Sequence, residues 1–147
     1  MTEDEKHNLL RKDLCARLPY GVKIRVEYPF LEEKDWQPEN LYGLDLRREV
    51  IAGTSVRIEE FKPYLRPISS MTEEEVDKLF DILNLDKENE TEWLKVNDIN
   101  IIRLFTQEGK DFYEIAEAMD YLYSIHVDFR GLIEKGLAID CTNLNIY

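Results

Sequence analysis

Two prolines four residues apart constrain the fold of this chain more than any other feature of its sequence. Pro63 and Pro67 lie within residues 62–67, and each fixes its own φ angle and lacks a backbone N–H donor. Each also disfavours helical geometry in the residue before it. The sequence therefore predicts that residues 62–67 form an extended, stiff strap, neither helix nor central strand, and that a structural boundary lies there.

The charge of the chain changes close to the same place. Residues 1–70 contain 12 Lys or Arg and 13 Asp or Glu, a net charge of −1, whereas residues 71–147 contain 7 against 18, a net charge of −11. The second part will repel nucleic acid and anionic membranes, and it can attract basic surfaces. We therefore expect a protein partner with a basic surface and no membrane partner, and the charge disfavours a nucleic-acid partner.

Length and composition predict one folded domain over residues 1–147. The chain is 44% hydrophobic and has 2 Trp, 8 Tyr and 6 Phe, which is enough apolar surface to build a core. Its start lacks a secretion signal, and no segment approaches the roughly 18 apolar residues of a membrane span. We expect a cytoplasmic protein in which Cys15 and Cys141 both remain thiols.

The first segment predicts a helix over residues 2–18. Thr2 and Glu5 have the spacing of a capping box at its start. Its leucines recur at every fourth residue and form one apolar stripe: Leu10, Leu14 and Leu18. Pro19 and Gly21 then end the helix.

Alternation of apolar and polar residues predicts a small antiparallel sheet of three or four strands. Residues 22–28 alternate in this way and have a basic outer face. Residues 42–46 and 54–58 alternate as well, and a turn at residues 52–53 predicts that they form a hairpin. Residues 29–40 contain two prolines and are expected to form an irregular loop.

The second part predicts acidic helices. A capping box opens the first of them, formed either by Thr72 with Glu75 or by Ser70 with Glu73. Its apolar residues follow helical spacing: Val76, Leu79, Phe80 and Leu83. Residues 99–105 form a short apolar segment. We assign this segment to a helix, and a strand is the alternative.

The clearest helical pattern covers residues 111–126. Its apolar face spans four turns: Phe112, Ile115, Ala116, Met119, Leu122, Tyr123 and His126. Residues 129–135 predict a short helix that Gly136 ends in the left-handed conformation. Residues 137–141 alternate and predict a short last strand that rejoins the sheet. The fold class is therefore α+β.

Three blocks of sequence carry a resemblance to a known family. They are KDLCARLPYGV at residues 12–22, KPYLRP at 62–67 followed by SSMTEEE at 69–75, and DFRGLIEKGLA at 128–138. The chain resembles a family of small uncharacterised proteins from gut Bacteroidales, whose genes often lie in prophage-like or mobile regions. The resemblance implies a bacterial cytoplasmic protein of a mobile element, and it carries no activity, cofactor or catalytic residue.

One group of residues is a candidate catalytic site. His126, Asp128 and Arg130 place a base, an acid and an anion-binding group within five residues at the end of the long helix. Such a trio could transfer a proton or contact a phosphate. A simpler interpretation favours structural roles, because a His suits the last turn of a helix and Asp–Arg pairs commonly fix a chain reversal.

Metal and nucleic-acid sites are disfavoured. The acids at 86, 88, 90 and 92 suggest a calcium loop, but an EF-hand requires Gly and Glu where Thr91 and Asn97 stand, so we expect a solvated acidic loop and no metal. The basic residues of the first part share a predicted location on or beside the sheet: Lys23, Arg25, Arg47, Arg48, Arg57, Lys62 and Arg66. With a pI near 4.6, this set predicts a solvated face or one docked on acidic helices.

These observations favour a non-enzymatic protein-binding accessory factor without a cofactor, whose acidic helices engage a basic partner. Two alternatives from other classes stay open. An acidic DNA-mimic inhibitor would present carboxylates at duplex-like spacing along one face, and a small hydrolase would use His126 and Asp128 in a concave pocket.

Overall fold

The computed structural model of the protein describes residues 1–84 and 111–147. The helices in these ranges are α1 (Glu3–Arg17), α2 (Glu73–Ile82) and α3 (Phe112–Ser124). The strands are β1 (Lys23–Val26), β2 (Glu39–Asn40), β3 (Leu44–Asp45), β4 (Val50–Ile51), β5 (Phe61–Pro67), β6 (Val127–Asp128) and β7 (Ile139–Asp140). The α+β class and the N-terminal helix are thus confirmed.

The sheets differ from the expected small antiparallel sheet. One mixed sheet has five strands in the order β2-β1-β5-β6, with β7 also paired to β5, and β3 and β4 form a separate pair. Strands β6 and β7 run parallel to β5. The larger mixed sheet arises because two short C-terminal segments return to β5, which alternation within each segment alone does not reveal.

The chain divides into two compact units. Unit 1 comprises Met1–Leu65 and Leu132–Tyr147, and unit 2 comprises Arg66–Gly131. The division falls within residues 62–67, and the last 16 residues belong with the first part of the chain. No helix in the described ranges is long and apolar enough to span a membrane.

Helix α1 begins at the predicted capping box. The Thr2 hydroxyl accepts a hydrogen bond from the Glu5 N–H at 3.2 Å, and the Glu5 carboxylate accepts one from the Thr2 N–H at 2.6 Å. The helix ends at Arg17 and continues as a short 3-10 turn, which Gly21 closes with a φ of 67°. Both predicted ends are confirmed to within one residue.

The core of unit 1 lies between α1 and the strands that follow it. Leu10 and Leu14 of the predicted stripe are buried there, and the alternation along residues 22–26 buries Val22, Ile24 and Val26. The remaining buried members of this cluster are Leu41, Ile58 and Phe61. A second cluster joins Leu65 to residues near the C-terminus: Leu132 and Ala138, with Leu9, Ile133 and Leu137 partly buried against them.

The predicted hairpin between residues 42–46 and 54–58 is wrong. Strand β3 instead pairs with β4, in the register Leu44 opposite Ile51. The reason is local, because the Asp45 carboxylate accepts the N–H groups of Arg47 and Arg48 at 3.1 Å and so turns the chain earlier. The turn at residues 52–53 does occur, but only an isolated bridge follows it.

The prediction that residues 62–67 are not a central strand is also wrong, since β5 pairs with β1, β6 and β7. The register explains how Pro63 is tolerated. Glu27 donates its N–H to the Glu60 carbonyl, and hydrogen-bonded pairs recur at every second residue from there. Pro63 faces Ile24 at a non-hydrogen-bonded pair, so its missing N–H lies on the side away from β1.

In unit 2, α2 begins at the predicted box of Thr72 and Glu75 and not at the alternative two residues earlier. Its Leu79, Phe80 and Leu83 are fully buried, as the helical spacing predicts. Helix α3 begins after its cap residue Asp111.

Burial along α3 departs in part from the predicted face. Leu122 and Tyr123 are buried and Met119 is half-buried, but Phe112 is 78% exposed. Ala118, outside the predicted stripe, is fully buried instead. Burial therefore starts in the second turn and is rotated relative to the sequence pattern.

The predicted short helix at residues 129–135 is wrong, because residues 132–136 form a turn. Gly136 is left-handed as predicted, with a φ of 71°. It donates its N–H to Ile133, while Leu137 donates to Leu132, which is the hydrogen-bond pattern of a helix C-terminus without the helix. The short last strand is confirmed as β7, and the interpretations of residues 86–97 and 99–105 lie outside the described residues.

We expect Phe80→Ala to reduce the free energy of unfolding by roughly 3–5 kcal/mol, because it removes a fully buried ring and leaves a cavity. Chemical denaturation measured at pH 7 checks this. Phe112→Ala is the matched control and should change stability by less than about 0.5 kcal/mol, since that ring is exposed. Equal losses from the two variants would contradict the assignment of Phe80 to the core.

Candidate functional site

The structure places His126 just after α3, in a backbone role. Helix α3 ends at Ser124, and His126 follows it with a left-handed φ of 59°. Its N–H donates to the Tyr123 carbonyl at 3.1 Å, and its carbonyl accepts the Arg66 N–H at 2.9 Å. His126 therefore stops the helix and starts the pairing of β6 with β5.

Asp128 and Arg130 lie in the same short segment. Asp128 is 3% exposed and stands opposite Pro67 in the β5–β6 pair. The Arg130 guanidinium donates to the Tyr123 hydroxyl from Nη2 at 2.6 Å and from Nε at 3.2 Å, and it lies 5.6 Å from the centre of the Phe129 ring. The Tyr123 and Phe129 rings also meet edge to face at 4.9 Å. The packed surroundings of Arg130 suit a fixed chain reversal.

Two open cavities lie in the described part of unit 1, and none of His126, Asp128 and Arg130 lines either of them. Within residues 1–84 and 111–147, no group of three or more His, Cys, Asp or Glu is placed to hold a metal ion.

Two members of the basic set, Arg25 and Arg57, pair with acids close to them in sequence. Arg25 contacts Glu27 at 3.2 Å and lies over the Trp36 ring at 5.0 Å, and Arg57 contacts Glu59 at 2.7 Å. Arg47 and Arg48 are exposed in the turn between β3 and β4.

Arg66 is the member of the basic set that contacts an acidic helix. Its Nη1 and Nη2 donate to the two Glu75 carboxylate oxygens at 2.9 and 2.7 Å, which is a bidentate pair. The same guanidinium donates to the Ser70 hydroxyl and carbonyl. Glu75 also accepts the Thr72 N–H at 2.9 Å, so one carboxylate both caps α2 and binds the end of β5.

The hydrogen bonds from Arg66 lower the pKa of the Glu75 carboxyl from its ordinary 4.5, although partial burial opposes the shift. A lowered pKa contributes stability that is present above the unfolded value and is lost as the pH falls through the folded value. The pair therefore stabilises unit 2 at neutral pH and fails in acid.

We expect Glu75→Gln to cost roughly 1.5–3 kcal/mol of unfolding free energy at pH 7, the range for hydrogen bonds to a charged group. The thermal midpoints of the variant and the wild-type protein should differ less at pH 3 than at pH 7. Glu74→Gln is the control, because Glu74 is exposed in the same helical turn. A cost that stays the same at both pH values would contradict the assigned role of the carboxylate.

The outward surfaces of α2 and α3 form the most distinctive site in unit 2. The two helices contain eight Asp or Glu and one Lys. They contact each other, because the Lys78 ammonium lies 4.8 Å from the centre of the Tyr121 ring. Asn84, which follows α2, also donates its amide to Glu114 of α3 at 3.3 Å. We call the exposed stripe of α3 the acidic aromatic face: Tyr113, Glu117 and Asp120. Helix α2 carries its own row of acids, Glu73, Asp77 and Asp81.

The acids of α2 and the acidic aromatic face of α3 both follow helical spacing. Glu73 and Asp81 are exposed, and they stand one turn to either side of the half-buried Asp77. On α3, Tyr113 is 82% exposed and shares a stripe with Glu117 and Asp120, both also exposed. The sequence predicted the acids, but it did not predict that an exposed aromatic residue accompanies them.

Sequence reasoning missed a cavity in unit 1. It has a volume of about 470 Å³, with Leu10, Phe61 and Leu137 among its apolar lining residues. Its rim carries charges of both signs: Glu3, Asp4, Lys6, His7, Glu49, Arg57, Glu59 and Lys62. His7 Nε2 lies 3.3 Å from a Glu49 carboxylate oxygen, and Glu49 has a left-handed φ of 56°. The sequence could have indicated this site, because His7 lies three residues before Leu10 and therefore on the same face of α1.

A buried ion pair in α1 was also missed. The Arg17 Nε donates to the Asp13 carboxylate at 2.6 Å, and both side chains are fully buried. Asp13 and Arg17 follow Leu10 by three and seven residues, so they lie on the apolar stripe itself. Charged residues at core positions of a stripe are the signal that could have revealed the pair.

No protein-family model matches the chain, and neither a curated protein nor a solved structure matches it significantly. The candidate sites are therefore argued from their own geometry.

Proposed function

We propose that this protein is a non-enzymatic binding factor whose acidic aromatic face engages a basic surface of another protein. The observation that carries the proposal is the exposed Tyr113 in line with the exposed acids Glu117 and Asp120. Tyrosine is enriched at protein–protein interfaces because it contributes a large contact area at a low cost in conformational entropy.

The acids and the tyrosine would contribute differently to binding. Exposed carboxylates contribute little affinity each, but together they steer a basic partner and speed its association. An aromatic ring that becomes buried on binding supplies much of the affinity. A partner with a basic rim around an apolar pocket would satisfy both groups.

The same observation disfavours a DNA-mimic inhibitor. A mimic has to reproduce the regular charge of the duplex backbone, whereas the stripe of α3 begins with the uncharged aromatic ring of Tyr113. A hydrolase that uses His126 and Asp128 is also less well supported, because these residues lie in a packed chain reversal. The mobile-element setting implied by the sequence resemblance remains part of this proposal.

An affinity capture from bacterial host lysate with the full chain as bait, read by mass spectrometry, tests the proposal. We expect a basic protein at stoichiometric yield. Tyr113→Ala should weaken its binding at least about tenfold, the loss typical of an interface hot spot. The double variant Glu117→Gln with Asp120→Asn should slow association and make the association rate less sensitive to salt.

Tyr42→Ala is the matched control, because Tyr42 is 88% exposed and lies in unit 1. It should leave capture unchanged. Equal capture by the wild-type protein and by both face variants would reject the acidic aromatic face as the binding site. A captured DNA-binding protein that duplex DNA displaces, with no effect of Tyr113→Ala, would favour the DNA-mimic alternative instead.

A further inference from the structure

A tyrosine hydroxyl interrupts the backbone ladder between β1 and β5 in unit 1. Hydrogen-bonded pairs in this ladder recur at every second residue, and after Arg25 with Lys62 the next such pair is Lys23 with Tyr64. The Lys23 N–H instead donates to the Tyr147 hydroxyl at 2.9 Å, and that hydroxyl donates to the Tyr64 carbonyl at 2.9 Å. One phenol group therefore stands where a direct hydrogen bond between the strands belongs.

The segment that carries this tyrosine is tied to the strands at both of its ends. We call residues 142–147, which follow Cys141, the latch segment. Cys141 donates its N–H to the Leu65 carbonyl of β5 at 2.9 Å, and the Lys23 ammonium donates to the Ile146 carbonyl at 2.9 Å. Between these ties, Leu144 is 48% exposed, and the hydrogen bonds of the segment are local.

The Tyr147 hydroxyl has the protonation state that this position requires. Burial raises the pKa of the phenol to about 12, although the hydrogen bond from the Lys23 N–H opposes the shift. The group is therefore neutral at physiological pH, and it can accept from Lys23 and donate to Tyr64 at the same time.

We propose that Tyr147 is a removable wedge: when its hydroxyl withdraws, Lys23 and Tyr64 close into a direct backbone hydrogen bond and the latch segment detaches from the sheet. Both states satisfy the Lys23 N–H and the Tyr64 carbonyl, so neither leaves an orphaned backbone group. The inserted state adds contacts of the ring and of the Lys23 ammonium, whereas the detached state gains the conformational freedom of the latch segment.

Detachment has a consequence for the surface of unit 1. The Lys23 ammonium loses the Ile146 carbonyl and returns to solvent beside Arg25, so the strand face becomes more basic. Exchange of one backbone hydrogen bond therefore changes whether the Lys23 ammonium is exposed to solvent.

Nuclear magnetic resonance on the full chain tests the proposal, with Tyr147→Phe as the variant that removes only the hydroxyl. A scalar coupling across the hydrogen bond reports a direct Lys23 N–H to Tyr64 carbonyl contact, and heteronuclear relaxation reports the order of the latch segment. We expect no coupling and an ordered segment in the wild-type protein. In Tyr147→Phe we expect the coupling to appear and residues 142–147 to become mobile.

Tyr147→Ala should give the same pair of changes, and Tyr113→Phe is the control that should give neither. An ordered latch segment in Tyr147→Phe would overturn the proposal, as would a mobile segment without the Lys23–Tyr64 coupling, which would mean that the strands do not close. The coupling in the wild-type protein would overturn it as well. Unchanged backbone shifts in α1 establish that each variant is folded.

Discussion

The backbone of β5 is the constraint on which the rest of the structure depends. Seven residues of this strand pair with β1 in the antiparallel sense and with β6 and β7 in the parallel sense, so most of the sheet is built on one short segment. Pro63 limits how this can be done, because one donor is missing. The register opposite Ile24 places that missing donor away from β1, and any shift by one residue would bring it into the ladder.

In unit 2 the corresponding role falls to a side chain. Arg66 follows directly on the part of β5 that pairs with β1 and β7, and its guanidinium holds Glu75 at the first turn of α2. The carboxylate is used twice, for Arg66 and for the capping box with Thr72. Because both contacts use the same charge, the start of the helix and the end of the strand respond to pH together.

Much of the local structure could be predicted from the sequence, because its causes are local. The capping boxes at Thr2 and Thr72 and the left-handed Gly136 depend on residues only a few positions apart. Strand β5 could not be predicted in this way. Whether a proline disrupts a sheet depends on which side of the strand its nitrogen faces, and that is set by the partner strand.

The hairpin error has a similar origin. Residues 42–46 and 54–58 alternate correctly for strands, but alternation does not choose between possible partners. The choice was made by the Asp45 carboxylate, whose two hydrogen bonds to the following backbone turn the chain before residue 50. The turn at Asp45 can be predicted from the sequence only if its Asp is compared with the other possible turn, at residues 52–53.

Prediction of the candidate site from the sequence was limited in the same way. A sequence shows which residues could react, but not which of them remain exposed. His126 and Asp128 have catalytic side chains and became buried around a chain reversal, whereas Tyr113 has no special chemistry and is exposed among acids. Burial removes a reactive group from a partner's reach, and exposure gives an ordinary aromatic ring the apolar area on which binding depends. For this reason the proposed function is assigned to the acidic aromatic face and not to the trio.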